Sequence, residues 1–296
     1  IAYITTLSNC IKWFPEKKGL ISGISVGAYG TGSLVFKYIN ASLISSKGVS
    51  GAFLYWGIMT MILVLTGAQL LKDASSETVT VNNSSKENNF TVREMLKTRQ
   101  AYLLFIVFFT ACMSGLYLIG IVKDIGVQLA GIKPAVAANA VAMVAIFNTS
   151  GRIVLGALSD KVGRLKVVLF TLTATAVAVF VLSFVHLNYA IFFACVAGIA
   201  FCFGGNITVF PAIVGDFFGL KNHSKNYGII YQGFGLGALS GSFIAALMGG
   251  FKPTFMVVGI LCIISIVIVA TIKAPMESTE NIKDDNNKLK LNINPV

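Results

Sequence analysis

The sequence predicts an all-α, polytopic membrane protein, and three observations carry that expectation. Only 12% of its 296 residues are charged while 55% are hydrophobic, against about 25% charged in an ordinary soluble domain. Its apolar runs are long enough to cross a bilayer. Its lysines and arginines fall mostly on one side of those runs. A globule with so few charges could not cover itself with polar surface, whereas lipid covers most of a membrane protein.

Taken in order, residues 1–13 read as the end of one membrane helix. Eight complete apolar runs follow, at 19–39, 51–71, 101–122, 134–158, 165–185, 189–213, 226–248 and 253–273. Each has about 20 residues or more, which spans ~30 Å of hydrocarbon at 1.5 Å per residue. Segment 72–100 is polar and rich in Asn and Ser. It reads as a linker, with helix starting near Thr91. Residues 276–296 form a polar tail. The expected organisation is a remainder of an N-terminal bundle (1–71), a linker (72–100), a C-terminal six-helix bundle (101–275) and the tail. The chain starts at Ile1 with no basic n-region, so the expectation is a longer parent protein whose first helices precede it.

Sorting the loops gives 17 Lys and Arg on the side of the linker and tail and five on the other side, with Arg152 alone inside an apolar run. That asymmetry places the linker and tail in the cytoplasm. It also explains the net charge of +11 as a topology signal, which argues against nucleic acid as a partner. The sequons at Asn83 and Asn89 fall on the cytoplasmic side and should stay bare, whereas Asn40 lies on the far side. The five cysteines all lie in apolar runs, without metal-ligand spacing to a histidine, and read as small buried hydrophobes.

An internal echo links the two ends of the chain. SGISVGAYGTGS (22–33) aligns with YGIIYQGFGLGA (227–238), so that Gly23, Gly30 and Gly32 match Gly228, Gly235 and Gly237. Parallel repeats flanking a central loop are a transporter architecture.

The stretch GRIVLGALSDKVGR (151–164) resembles the loop signature of the major facilitator superfamily, in the copy between the eighth and ninth of twelve helices. The resemblance implies the major facilitator fold, here part of a first six-helix bundle and a complete second one. The motif residues are Gly151, Gly156, Asp160, Lys161, Gly163 and Arg164. The glycines permit close helix packing, and Asp160 can pair with a helix N-terminus or a basic side chain and so hold one gate state. Asp216, at the cytoplasmic end of another helix, reads as a gate or structural residue. KWFPEKKGLISGISVGAYGTGS (12–33), SGLYLIGIVKDIG (114–126) and FPAIVGDFFGLKNHSKNYGIIYQGFGLGAL (210–239) resemble the oxalate–formate antiporter family, which is related to monocarboxylate transporters.

Arg152 stands eight residues before Asp160, about 12 Å deeper along a helix and close to the midplane. An arginine facing lipid there costs roughly 3 kcal/mol or more, so it should face a wet, protein-lined cavity. A guanidinium is a two-pronged donor that matches a carboxylate, and Arg152 is therefore the candidate substrate ligand. The family resemblance implies the same role, through an essential arginine in its eighth helix. The alternative is an arginine that snorkels or pairs with an acid of another helix. Tyr117, Gln232 and Tyr231 are weaker substrate candidates, because polar groups also glue membrane helices together; Asn148 and Asn206 read as such glue. The resembled exchanger carries a second cation, a lysine in its eleventh helix. Phe234 stands near that place here. One cation neutralises one carboxylate, which favours a monocarboxylate such as lactate, pyruvate or formate over oxalate.

The expected function is alternating-access transport of small organic anions across a lipid bilayer. Proton symport and anion exchange both remain open. An oxalate/formate-type exchanger and a non-transporting nutrient sensor on a carrier fold are the alternatives. No nucleophile–base pair or metal cluster stands in the apolar runs, which argues against a membrane enzyme. The resemblance implies no bound cofactor and no obligate protein partner.

Overall fold

The computed structural model describes residues 2–72 and 89–275. The middle of the expected linker, the sequon at Asn83 and the tail lie outside them. The elements are α1 (Ala2–Trp13), a short 3-10 turn (Pro15–Lys17), α2 (Lys18–Leu70), α3 (Val92–Leu96), α4 (Arg99–Gln128), α5 (Pro134–Val162), α6 (Arg164–Phe184), α7 (Tyr189–Phe218), α8 (His223–Ile230), α9 (Gln232–Met248) and α10 (Phe251–Thr271). Seven helices among the described residues are long and apolar enough to cross a membrane. Their outward faces carry bare Leu239, Phe243 and Val267, as a lipid-covered surface would.

The expected spans 19–39 and 51–71 form one helical run, α2, without the expected loop. The run breaks at Gly48, whose φ of 68° suits glycine because it has no Cβ. The chain reverses there. A straight helix of 53 residues would be about 80 Å long. Instead Lys72 O, past its end, accepts hydrogen bonds from Trp13 Nε1 at 3.1 Å and Asn9 Nδ2 at 2.9 Å. Trp56 Nε1 donates to Asn40 Oδ1 across the hairpin, which places the Asn40 side chain inside the turn region. Other helices outrun their apolar cores. The expected 101–122 becomes Arg99–Gln128 and 189–213 becomes Tyr189–Phe218, since helical hydrogen bonding continues past the apolar window.

α5 lies between α2 and α7 and touches both through glycine. On one side, a Cβ at Gly151 would meet Phe201 O at 2.0 Å, and one at Gly204 would meet Asn148 O at 2.1 Å. On the other, a Cβ at Gly156 would meet Gly19 O at 2.6 Å, and one at Gly23 would meet Arg152 O at 2.6 Å. Backbones this close are the packing mode of membrane helices, where apolar burial gives no net drive. α9 rides on α4 in the same way, through Gly233, Gly237 and Gly241. Gly228 and Gly235, the echo partners of Gly23 and Gly30, face open space. Buried polar groups tie helices as expected: Asn148 Nδ2 donates to Ala200 O at 3.2 Å, and Thr171 Oγ1 donates to Asn206 Oδ1 at 2.6 Å.

The described end of the linker docks on α7 and α8. Phe90 N donates to Phe218 O at 3.0 Å. Phe90 O accepts from Asn222 and Asn226 at 3.1 and 3.0 Å, and Asn89 Oδ1 accepts from Lys221 N. Thr91 and Glu94 then form a capping box that starts α3.

Candidate functional site

Arg152 lines a cavity of about 590 Å³ between α1, α2, α4, α5, α7 and the α8–α9 junction. Its Nη1 donates to Val26 O of α2 at 2.7 Å. Its Nε is buried without a hydrogen-bond partner. Among the described residues no carboxylate pairs with it, and the ion pairs present lie elsewhere. A part-buried cation without a counter-charge is costly. Gly30 makes room for the guanidinium: a Cβ there would lie 2.8 Å from Nη1.

The rest of the wall is aromatic and apolar. Tyr3 meets Tyr29 edge-on and Tyr231 at a tilt, both with ring centroids 5.2 Å apart. Tyr231 stacks on Phe234, also at 5.2 Å. These four rings line the cavity, with Thr149 and Asn148 beside Arg152.

Of the four sequence candidates, Arg152 and Tyr231 come together here. Tyr117 and Gln232 stand elsewhere. Tyr117 is buried against Phe255 and Gly241. Gln232 is exposed on α9, with its Nε2 near Gly228 O at 3.4 Å. Residues one apart on a helix point about 100° apart, and here the turn carries Tyr231 to the cavity and Gln232 away from it. Sequence reasoning missed Tyr3, Tyr29 and Thr149. Tyr29 lies within the echoed glycine stretch, which was its one visible signal.

The motif residues gather at one end of the helices. Asp160 accepts from the backbone N–H groups of Gly19 and Leu20 at 2.9 and 2.8 Å, in the first turn of α2. Arg164 Nη1 donates to Asp160 Oδ1 at 2.7 Å, and its Nε donates to Asp216. Lys18 Nζ donates to the other Asp216 oxygen at 3.0 Å. Two carboxylates and two cations thus join α2, α5, α6 and α7. Gly163 makes the turn between α5 and α6 at φ 101°, and Lys161 is exposed beside it. His223 is a second tie that the sequence did not single out. It is fully buried, with Nε2 2.7 Å from Pro211 O and Nδ1 2.8 Å from Ser8 Oγ. The carbonyl can only accept, so Nε2 carries the proton and Ser8 donates to Nδ1.

Residues 104–293 match the family described as Major Facilitator Superfamily. The chain belongs to the major facilitator superfamily. An uncharacterized major facilitator-type transporter of Escherichia coli (strain K12) is 48% identical over 237 residues, covering 80% of this chain and 59% of that protein. The oxalate:formate antiporter of Oxalobacter formigenes is 29% identical over 270 residues, covering 90% of this chain and 64% of that protein. Apicoplast pyruvate carrier 1 of Toxoplasma gondii is 23% identical over 293 residues, covering 78% of this chain and 54% of that protein. The chain therefore spans less than two thirds of the length of these relatives. Two solved structures of one transporter share the fold. A major facilitator transporter in the outward conformation aligns with a TM-score of 0.63 at 12% identity, over 86% of this chain and 68% of that one. The E. coli fucose:proton symporter aligns with a TM-score of 0.65 at 14% identity, over 88% of this chain and 71% of that one. With seven helices fit to span a bilayer, this major facilitator chain is an integral, multi-pass membrane protein.

Proposed function

We propose that the protein carries small monocarboxylates across a membrane by alternating access, and that Arg152 is the ligand of the substrate carboxylate. The observation that supports this most directly is the unpaired guanidinium in the 590 Å³ cavity. Among the described lining residues Arg152 is the one cation, and Phe234 stands near the place of a second in the resembled exchanger. A dianion would bring one charge with no partner into an aromatic, low-dielectric wall. The relative that is a pyruvate carrier fits a monocarboxylate. Tyr231 is the second substrate-contacting residue, packed on Phe234 and Tyr3.

The charge asymmetry assigns the linker and tail to the cytoplasm. On that assignment, the Asp160–Arg164–Asp216–Lys18 network and the His223–Ser8 bond close the cytoplasmic side of the cavity. Transport then requires these ties to break as the two helix bundles rock. Exchange of two carboxylates is the second reading, favoured by the likeness to an oxalate:formate antiporter. Uptake into vesicles preloaded with unlabelled formate or pyruvate separates the readings. An exchanger is accelerated by the internal anion, and a uniporter or proton symporter works without it.

A further inference from the structure

Thr149 stands one helical turn before Arg152, on the face of α5 that lines the cavity. Several threonines in these helices, Thr173, Thr208 and Thr271, return their hydroxyls to the carbonyl four residues back. The Thr149 hydroxyl makes no such bond, and among the described residues none takes it. The hydroxyl and the guanidinium open onto one notch. A Cβ on Gly30 would lie 2.8 Å from Arg152 Nη1 and 3.2 Å from Thr149 Oγ1, so the two groups sit close together against Gly30, and all three line the cavity.

A guanidinium binds both oxygens of one carboxylate. In a 2-oxo or 2-hydroxy acid the next carbon carries a further oxygen beside that group. A threonine hydroxyl both donates and accepts, so it suits a keto oxygen or an alcohol. We propose that Thr149 reads the C2 oxygen of the substrate, and that the site prefers 2-oxo and 2-hydroxy monocarboxylates to simple ones. The inference rests on the carboxylate role of Arg152. The preference has a physical cause: a site that hydrogen-bonds a substrate oxygen loses that bond to the analogue without it, and its own polar group goes unpaired.

The test is uptake of labelled pyruvate and labelled propionate by the full-length protein in proteoliposomes, with Thr149→Val, Thr149→Ala, Thr149→Ser and Arg152→Gln alongside. The wild type should favour pyruvate in kcat/KM. Thr149→Val and Thr149→Ala should each reduce that preference by about tenfold, with propionate nearly unchanged, and Thr149→Ser should keep it. Two non-polar variants cover a folding defect in either one. An unchanged ratio in Thr149→Val or Thr149→Ala overturns the inference, as does an equal loss for both acids. Arg152→Gln reports separately: if it transports both acids normally, the carboxylate role of Arg152 itself fails.

Discussion

Asp160 on α5 accepts a hydrogen bond from the Gly19 backbone N–H at 2.9 Å, across 141 residues of sequence. Its other oxygen takes the Leu20 N–H, so one carboxylate caps a helix of the other end of the chain. The helix N-terminus carries partial positive charge, which favours an anion there. Asp160→Ala leaves two backbone donors without their acceptor, and Arg164 Nη1 loses its carboxylate while Nε keeps Asp216. It should lower stability by about 1–3 kcal/mol, read as an earlier thermal transition in detergent. Asp160→Asn should fall between, since one acceptor remains but the charge is lost.

Gly151 tests the packing of α5 on α7. A Cβ there would sit 2.0 Å from a backbone carbonyl, which cannot swing aside as a side chain can. Gly151→Ala should cost about 1–3 kcal/mol through overpacking. Gly120 has nothing within 4 Å of its Cβ position, and Gly120→Ala should be nearly neutral. Thermal unfolding of the two variants side by side checks this.

At Gly30 the obstacle is the tip of a flexible side chain, Arg152 Nη1. Gly30→Ala should therefore fold with a loss under about 1 kcal/mol, because the guanidinium can shift. It should still weaken substrate binding, because the shifted group no longer meets the carboxylate in place. Uptake and thermal unfolding measured on one preparation separate the two effects.

The legible part of this site was the part that breaks a pattern. Arg152 interrupts an apolar run, and Gly151, Asp160 and Arg164 recur at motif spacing, so each was visible without coordinates. Tyr3 and Tyr29 were not, because an aromatic in a membrane helix has the same composition signal whether it faces lipid, core or cavity. Gln232 shows the converse. It is polar and one residue from Tyr231, yet the helical turn sends it outside. The Ser8–His223 bond spans 215 residues, and no periodicity links two positions that far apart. The reversal between the runs 19–39 and 51–71 was legible, but its sharpness was not: helix continues on both sides up to a break at Gly48, because a helix tolerates the polar residues there.

Phe234 supplies a test of charge matching. It lines the cavity and stacks on Tyr231. Phe234→Lys places a second cation in the wall, able to offset the second charge of a dianion. The ratio of oxalate to formate uptake should rise by about tenfold or more. A folded variant with an unchanged ratio would count against charge as the basis of selection.

The decisive measurement is uptake of labelled pyruvate, lactate, formate and oxalate by vesicles containing the full-length protein, beside vesicles with Arg152→Gln. If Arg152 anchors the carboxylate, the wild type takes up monocarboxylates and the variant, folded and present in equal amount, loses that uptake. Equal uptake by the two proteins contradicts it and removes Arg152 from the substrate site.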